Sequence, residues 1–150
     1  MTLDSFRHPY NQGYCESRLI SEIEKYGKLV IGFDFDNTIF DYHNKGGDFS
    51  QVIELLQECK ELGYTLCLYT LESDPRRLDW KIEYCRHFKI EPDYINHSPI
   101  LSGTSKPFFN ILLDDRAGLE ECYKTLRRVI NYVKTEFNKS KEKQYSVLYF

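Results

Sequence analysis

Asp34 and Asp36 stand two residues apart at the end of an apolar run, in VIGFDFDNTIF. On an extended strand end that spacing lets both carboxylates share a face. Asp114 and Asp115 end a second apolar run, NILLDD. If Asp114 joins the first pair, three carboxylates converge and repel one another unless a cation sits among them. Donors that are all oxygen suit a hard ion, and magnesium is the usual one where phosphate is present. Thr70 closes LCLYT, and Lys106 precedes a proline in SKPFFN. A hydroxyl donor and an ammonium are what phosphoryl oxygens require. Taken singly, each residue has a plainer explanation. Acids after a strand cap turns, Asp114-Asp115 suits a helix start, threonine ends strands and loop lysines are solvated. Together, at strand ends or in the loop before one, they read as a site facing phosphate.

The elements that must position these residues follow from periodicity. Leu19, Ile20, Ile23 and Tyr26 have helical spacing and Gly27 stops the run, so residues 17–26 are expected to form a helix. Residues 28–34 read as a first strand. Phe49, Val52, Ile53, Leu56 and Cys59 define a helix over 49–62, capped by Asp48 and ended by Gly63. Residues 64–70 read as a second strand. Asp74-Pro75 then opens a helix running to about Phe88, with Leu78, Ile82 and Cys85 on its buried face. A short strand is expected near 94–96, another over 109–114, and a long amphipathic helix over 116–137. This alternation predicts an α/β domain of three layers, Rossmann-like, with a mainly parallel sheet and helices on both faces. In such sheets functional groups gather beyond the C-terminal strand ends.

A chain of 150 residues fits one domain. Its core is expected over about 28–137, preceded by an arm and helix (1–27) and followed by a tail (138–150). The tail ends in YSVLYF, either an edge strand or a free end. The net charge of -3 offers no global attraction to nucleic acid or to an anionic membrane. No apolar run approaches the roughly 20 residues a membrane helix needs. The five cysteines form no CxxC pair and no ligand spacing, and neither do the four histidines. With no secretory leader, such cysteines point to reduced thiols in the cytoplasm, packed as small core residues.

On these motifs the chain resembles the haloacid dehalogenase (HAD) superfamily, most of whose members are phosphatases. The resemblance spans about residues 28–137. An apolar strand followed by DxDx(T/V) stands as VIGFDFDNTIF, a strand ending in Ser or Thr as LCLYT, the Lys as Lys106, and the paired acids as Asp114 and Asp115. The resemblance implies Asp34 as nucleophile and Asp36 as general acid and base. It implies Thr70 and Lys106 as phosphoryl ligands, and magnesium held by Asp34, the Asp36 carbonyl, Asp114 and Asp115. Asp36 also favours phosphoryl transfer over dehalogenation. Lys106 stands only eight positions before Asp114, unusually close for this superfamily. Residues 39–48 and 96–106 are too short for the cap domain many relatives carry, so a capless form is expected.

The substrate expected is a small phosphorylated metabolite, such as a nucleotide or sugar phosphate. Arg76, Arg77 and Arg116 are candidates for a second anion, and Tyr42, Tyr69 and Trp80 for stacking on a base. Two alternatives stay open. One is a phosphatase acting on a macromolecular end, a nucleic-acid 3′-phosphate or a phosphoprotein, although the lack of a basic stripe counts against nucleic acid. The other is a metal-binding interaction module without turnover. A receiver-type signalling domain fits less well, because its acidic pair would follow the first strand.

Overall fold

The structure is a computed structural model that describes residues 8–100 and 103–148. Among these residues, four helices and four strands follow one another as α1 (Tyr14–Tyr26), β1 (Val30–Phe33), α2 (Ser50–Glu61), β2 (Thr65–Leu68), α3 (Pro75–His87), β3 (Tyr94–Ile95), β4 (Ile111–Leu113) and α4 (Leu119–Leu148). The strands form one sheet in the order β3-β2-β1-β4, and every pairing is parallel. This α/β arrangement around a parallel sheet is consistent with a Rossmann-like fold.

Local chemistry accounts for the ends of the elements. Asp74 caps α3 by accepting from the Arg76 amide, with Pro75 in the first turn. Gly27 ends α1 at φ 82, a left-handed position that glycine takes without a Cβ penalty. Asn110 sets the start of β4. Its amide donates to the Val30 carbonyl, and its side-chain oxygen accepts from the Val30 amide.

Side chains alternate across the sheet. Ile31, Phe33, Leu66, Leu68, Ile111 and Leu113 join the fully buried helix residues Leu19, Leu55, Cys85 and Leu126 in one core cluster. α4 touches β4, α1 and α2. On the reverse face, Gly32 lies against the ring of Phe109. The segment carrying that ring, residues 96–110, contains no helix among its described residues. Coil therefore covers the sheet at Gly32, where the sequence pattern predicts a helical layer.

The C-terminal expectation is corrected as well. Residues 138–148 form neither an edge strand nor a tail but continue α4. The stretch NKSKEKQ is rich in helix formers and holds no glycine or proline to stop it. Tyr149, Phe150 and residues 1–7 of the expected arm lie outside the described residues. Cys59, Cys67 and Cys85 are buried, and burial pushes their thiols up to about 12, 11 and 12. No helix among the described residues is long and apolar enough to cross a membrane.

Candidate functional site

The sheet brings its C-terminal strand ends to one rim, and the chemistry collects there. Asp34 follows β1, and its amide extends the ladder by donating to the Leu113 carbonyl at 2.9 Å. That bond sets the end of β1 beside the end of β4, where Asp114 and Asp115 begin. One carboxylate oxygen from each of Asp34, Asp114 and Asp115 lies within 4.8 Å of the others. Thr38 supports the arrangement from below. It is fully buried, and its hydroxyl accepts from the Asp115 amide at 3.2 Å. Asp114 in turn caps the following turn by accepting from the Arg116 amide at 2.9 Å.

Such crowding has an electrostatic signature. Burial pushes the Asp34 carboxyl up to about 7, against a hydrogen bond from the Phe35 amide that lowers it. The charges of Asp114 and Asp115 and a hydrogen bond with Asp115 raise it further. A cation among the three acids would offset their repulsion and favour the ionised form of Asp34.

Asp36 takes a different place. Its carboxylate lies 3.5 Å from the Lys81 ammonium, outside the three-acid group. Lys81 comes from α3 and is only 3% exposed. Its Nζ donates to Thr70 Oγ1 at 3.0 Å and stands 3.5 Å from Glu72, over the Phe35 ring. Thr70 is buried, and its amide donates to the Asn96 side chain at 2.8 Å. Asn96 sits just beyond β3 in a left-handed conformation, φ 57. All four strand ends thus contribute.

Residues 39–48 form an ordered flap rather than a slack loop. The Phe35 carbonyl accepts from the Thr38, Ile39 and Phe40 amides, and Asn37 closes back on Phe40. Asp41 accepts from the Lys45, Gly46 and Gly47 amides, which hold its carboxyl below the usual range. Phe40 packs with Phe35, Trp80 and Tyr84, so the flap is pinned to α3. It carries Tyr42 and His43 to the wall of a cavity of about 590 Å³ over the acids. Asp34, Asp36, Thr70, Tyr69, Leu71 and Arg116 also line this cavity.

The chain matches no protein-family model and no curated protein. It is similar to a solved structure of a conserved protein from Bacteroides thetaiotaomicron. The two are 24% identical over 67% of this chain and 91% of that one, with a TM-score of 0.54. At that identity the likeness speaks for the fold alone.

Of the residues singled out from sequence, Asp34, Asp36, Thr70, Asp114 and Asp115 line one cavity. Lys106 does not. It is exposed and lines a neighbouring cavity, because the short segment between it and β4 keeps it beside Phe109. The cation at Thr70 and Asp36 is Lys81, which the sequence reading passed over. A signal for it was present: Lys81 lies three residues after Leu78 and four before Cys85, on the buried stripe of α3. Of the arginines, Arg77 pairs with Glu72, whereas Arg116 reaches the cavity wall. Trp80 belongs to the aromatic cluster under the flap, while Tyr42 and Tyr69 face the cavity.

Proposed function

We propose that the protein is a magnesium-dependent phosphatase of the HAD type, in a capless form, acting on a small phosphomonoester. One observation carries this reading. Three carboxylates within ligand reach of each other share a cavity with Asp36 and Thr70, and these last two hold a buried ammonium. Mutual repulsion among the acids and oxygen-only donors suit a hard divalent ion. Asp34, Asp114 and Asp115 would hold it, with the Asp36 carbonyl as the superfamily resemblance implies. When bound, the ion neutralises charge on the phosphoryl oxygens and keeps Asp34 ionised.

The residues then divide the work. An Asp34 oxygen attacks phosphorus as the bond to the leaving oxygen breaks, giving an aspartyl-phosphate. Asp36 gives its proton to the leaving oxygen. A water then attacks phosphorus, its proton passes to Asp36, and the Asp34–phosphorus linkage breaks to release phosphate. Thr70 Oγ1 and Lys81 Nζ bind the phosphoryl oxygens. Lys81 takes the role that sequence assigns to Lys106, because it touches both Thr70 and Asp36.

With magnesium and p-nitrophenyl phosphate, the purified protein is expected to release phosphate, and EDTA is expected to stop it. Asp34→Asn is expected to abolish turnover with an unchanged circular dichroism spectrum. Substantial residual turnover in that variant would remove Asp34 from its role.

A further inference from the structure

The cavity over the acids shares a wall with a second cavity of about 580 Å³. Tyr69 lines both, and Ala117 of the second follows Arg116 of the first in sequence. The second cavity is mostly apolar, with Phe109, Pro107 and Leu112 among its lining residues and Lys106 lining it too. Tyr69, 40% exposed, meets Phe109 at a ring separation of 5.7 Å and an angle of 64°. The junction between the cavities is thus built from aromatic rings. Lys106 is exposed and, among the described residues, pairs with no carboxylate.

Resting on the phosphatase reading above, we propose that the second cavity receives the leaving group. Its chemistry selects a phosphomonoester whose leaving group is a flat aromatic ring system bearing a second anionic group, as in a nucleotide with two separate phosphates. Three features fit this occupant. Aromatic and proline faces stack on a planar base without demanding one base over another. Among the described residues, the Lys106 ammonium at the cavity wall and the Arg116 guanidinium on the reacting side pair with no carboxylate, and Lys106 matches an anion there. Finally, Tyr69 lies between the phosphoryl end and the apolar slot, where a nucleoside spanning both must pass. The sugar-phosphate alternative leaves the apolar cavity unused.

The test compares adenosine 3′,5′-bisphosphate with adenosine 5′-monophosphate in magnesium. For wild type, kcat/KM is expected to favour the bisphosphate by about tenfold or more, the discrimination of one charge-assisted contact. In Lys106→Ala that ratio should collapse toward one, and Lys106→Arg should retain it. Equal kcat/KM values for the two nucleotides in wild type, or a Lys106→Ala ratio unchanged from wild type, would overturn the inference while leaving the phosphatase reading intact. Should no phosphoester be turned over, the phosphatase reading fails, and calorimetric titration of Asp34→Asn with the same two nucleotides still decides. Tighter binding of the bisphosphate, lost with Lys106→Ala, supports the inference; equal affinities overturn it.

Discussion

Lys81 Nζ stands 3.0 Å from Thr70 Oγ1, so α3 returns a buried cation to the end of the strand that precedes it. The ammonium also faces Asp36 and Glu72, and no buried side-chain polar atom among the described residues lacks a partner. Lysine is thus held on one side by the groups assigned to chemistry and on the other by a carboxylate that takes no part in it.

The first prediction concerns this residue. Lys81→Met is expected to lower kcat/KM on p-nitrophenyl phosphate by about 10²–10³, the usual cost of losing one preorganised donor to a phosphoryl group. Circular dichroism at 20 °C would verify that the fold survives. A rate near wild type would take Lys81 out of the site.

Asp34 makes metal-free stability depend on pH. Its carboxyl is pushed up to about 7 in the fold from an ordinary value of 3.8. Between those limits the folded protein holds a proton that the unfolded chain releases. Its contribution to stability is therefore complete below the lower limit and lost as pH rises through the upper one. In EDTA, wild type should lose more Tm between pH 4 and pH 7 than Asp34→Asn does. Equal slopes would show that burial and the neighbouring acids do not raise the Asp34 carboxyl. If the three acids hold magnesium as proposed, adding it at pH 7.5 should raise the wild-type Tm, since such an ion would bind the folded state alone.

Gly32 is required by packing rather than by backbone conformation. A Cβ there would lie 2.7 Å from Cδ2 and 2.8 Å from Cγ of Phe109. Gly32→Ala is expected to cost about 1–3 kcal/mol by urea unfolding, as overpacking does. Adding Phe109→Ala should return part of that loss, because the two changes act on one contact.

Asp41 shapes the flap through three backbone amides. Asp41→Ala should speed hydrogen exchange at Lys45, Gly46 and Gly47 while leaving β1 protected. A raised KM is expected, because the same flap carries Tyr42 and His43. Its depressed carboxyl gives the sign for pH: the flap tightens above the ordinary carboxylate value and loosens as pH falls through the lowered one. Exchange rates measured at pH 3 and pH 6, corrected for intrinsic rates, would check it.

Much of this architecture was legible before any coordinates. Every expected helix and strand through α4 exists, because each rests on a local period: Val52, Ile53, Leu56 and Cys59 on one helical face, or the apolar run into Asp34. The misjudged end was 138–148, where a polar helix without an apolar stripe looks like a solvated tail. Reading YSVL, residues 145–148, by strand propensity failed for the reason that propensity is a weak prior, outweighed here by a helix already under way.

The sequence by itself determined the order of the elements and the acids at their ends, since apolar periodicity and the chain's own direction carry Asp34, Asp36 and Asp114 to one rim. Only the tertiary structure decided which lysine stands beside Asp36 and Thr70. Lys81 and Lys106 are both lysines in plausible places; the rotation of α3 about its axis buries the first, and the short segment into β4 keeps the second beside Phe109. Side chains 45 positions apart, such as Asp36 and Lys81, meet through packing angles that no local pattern encodes.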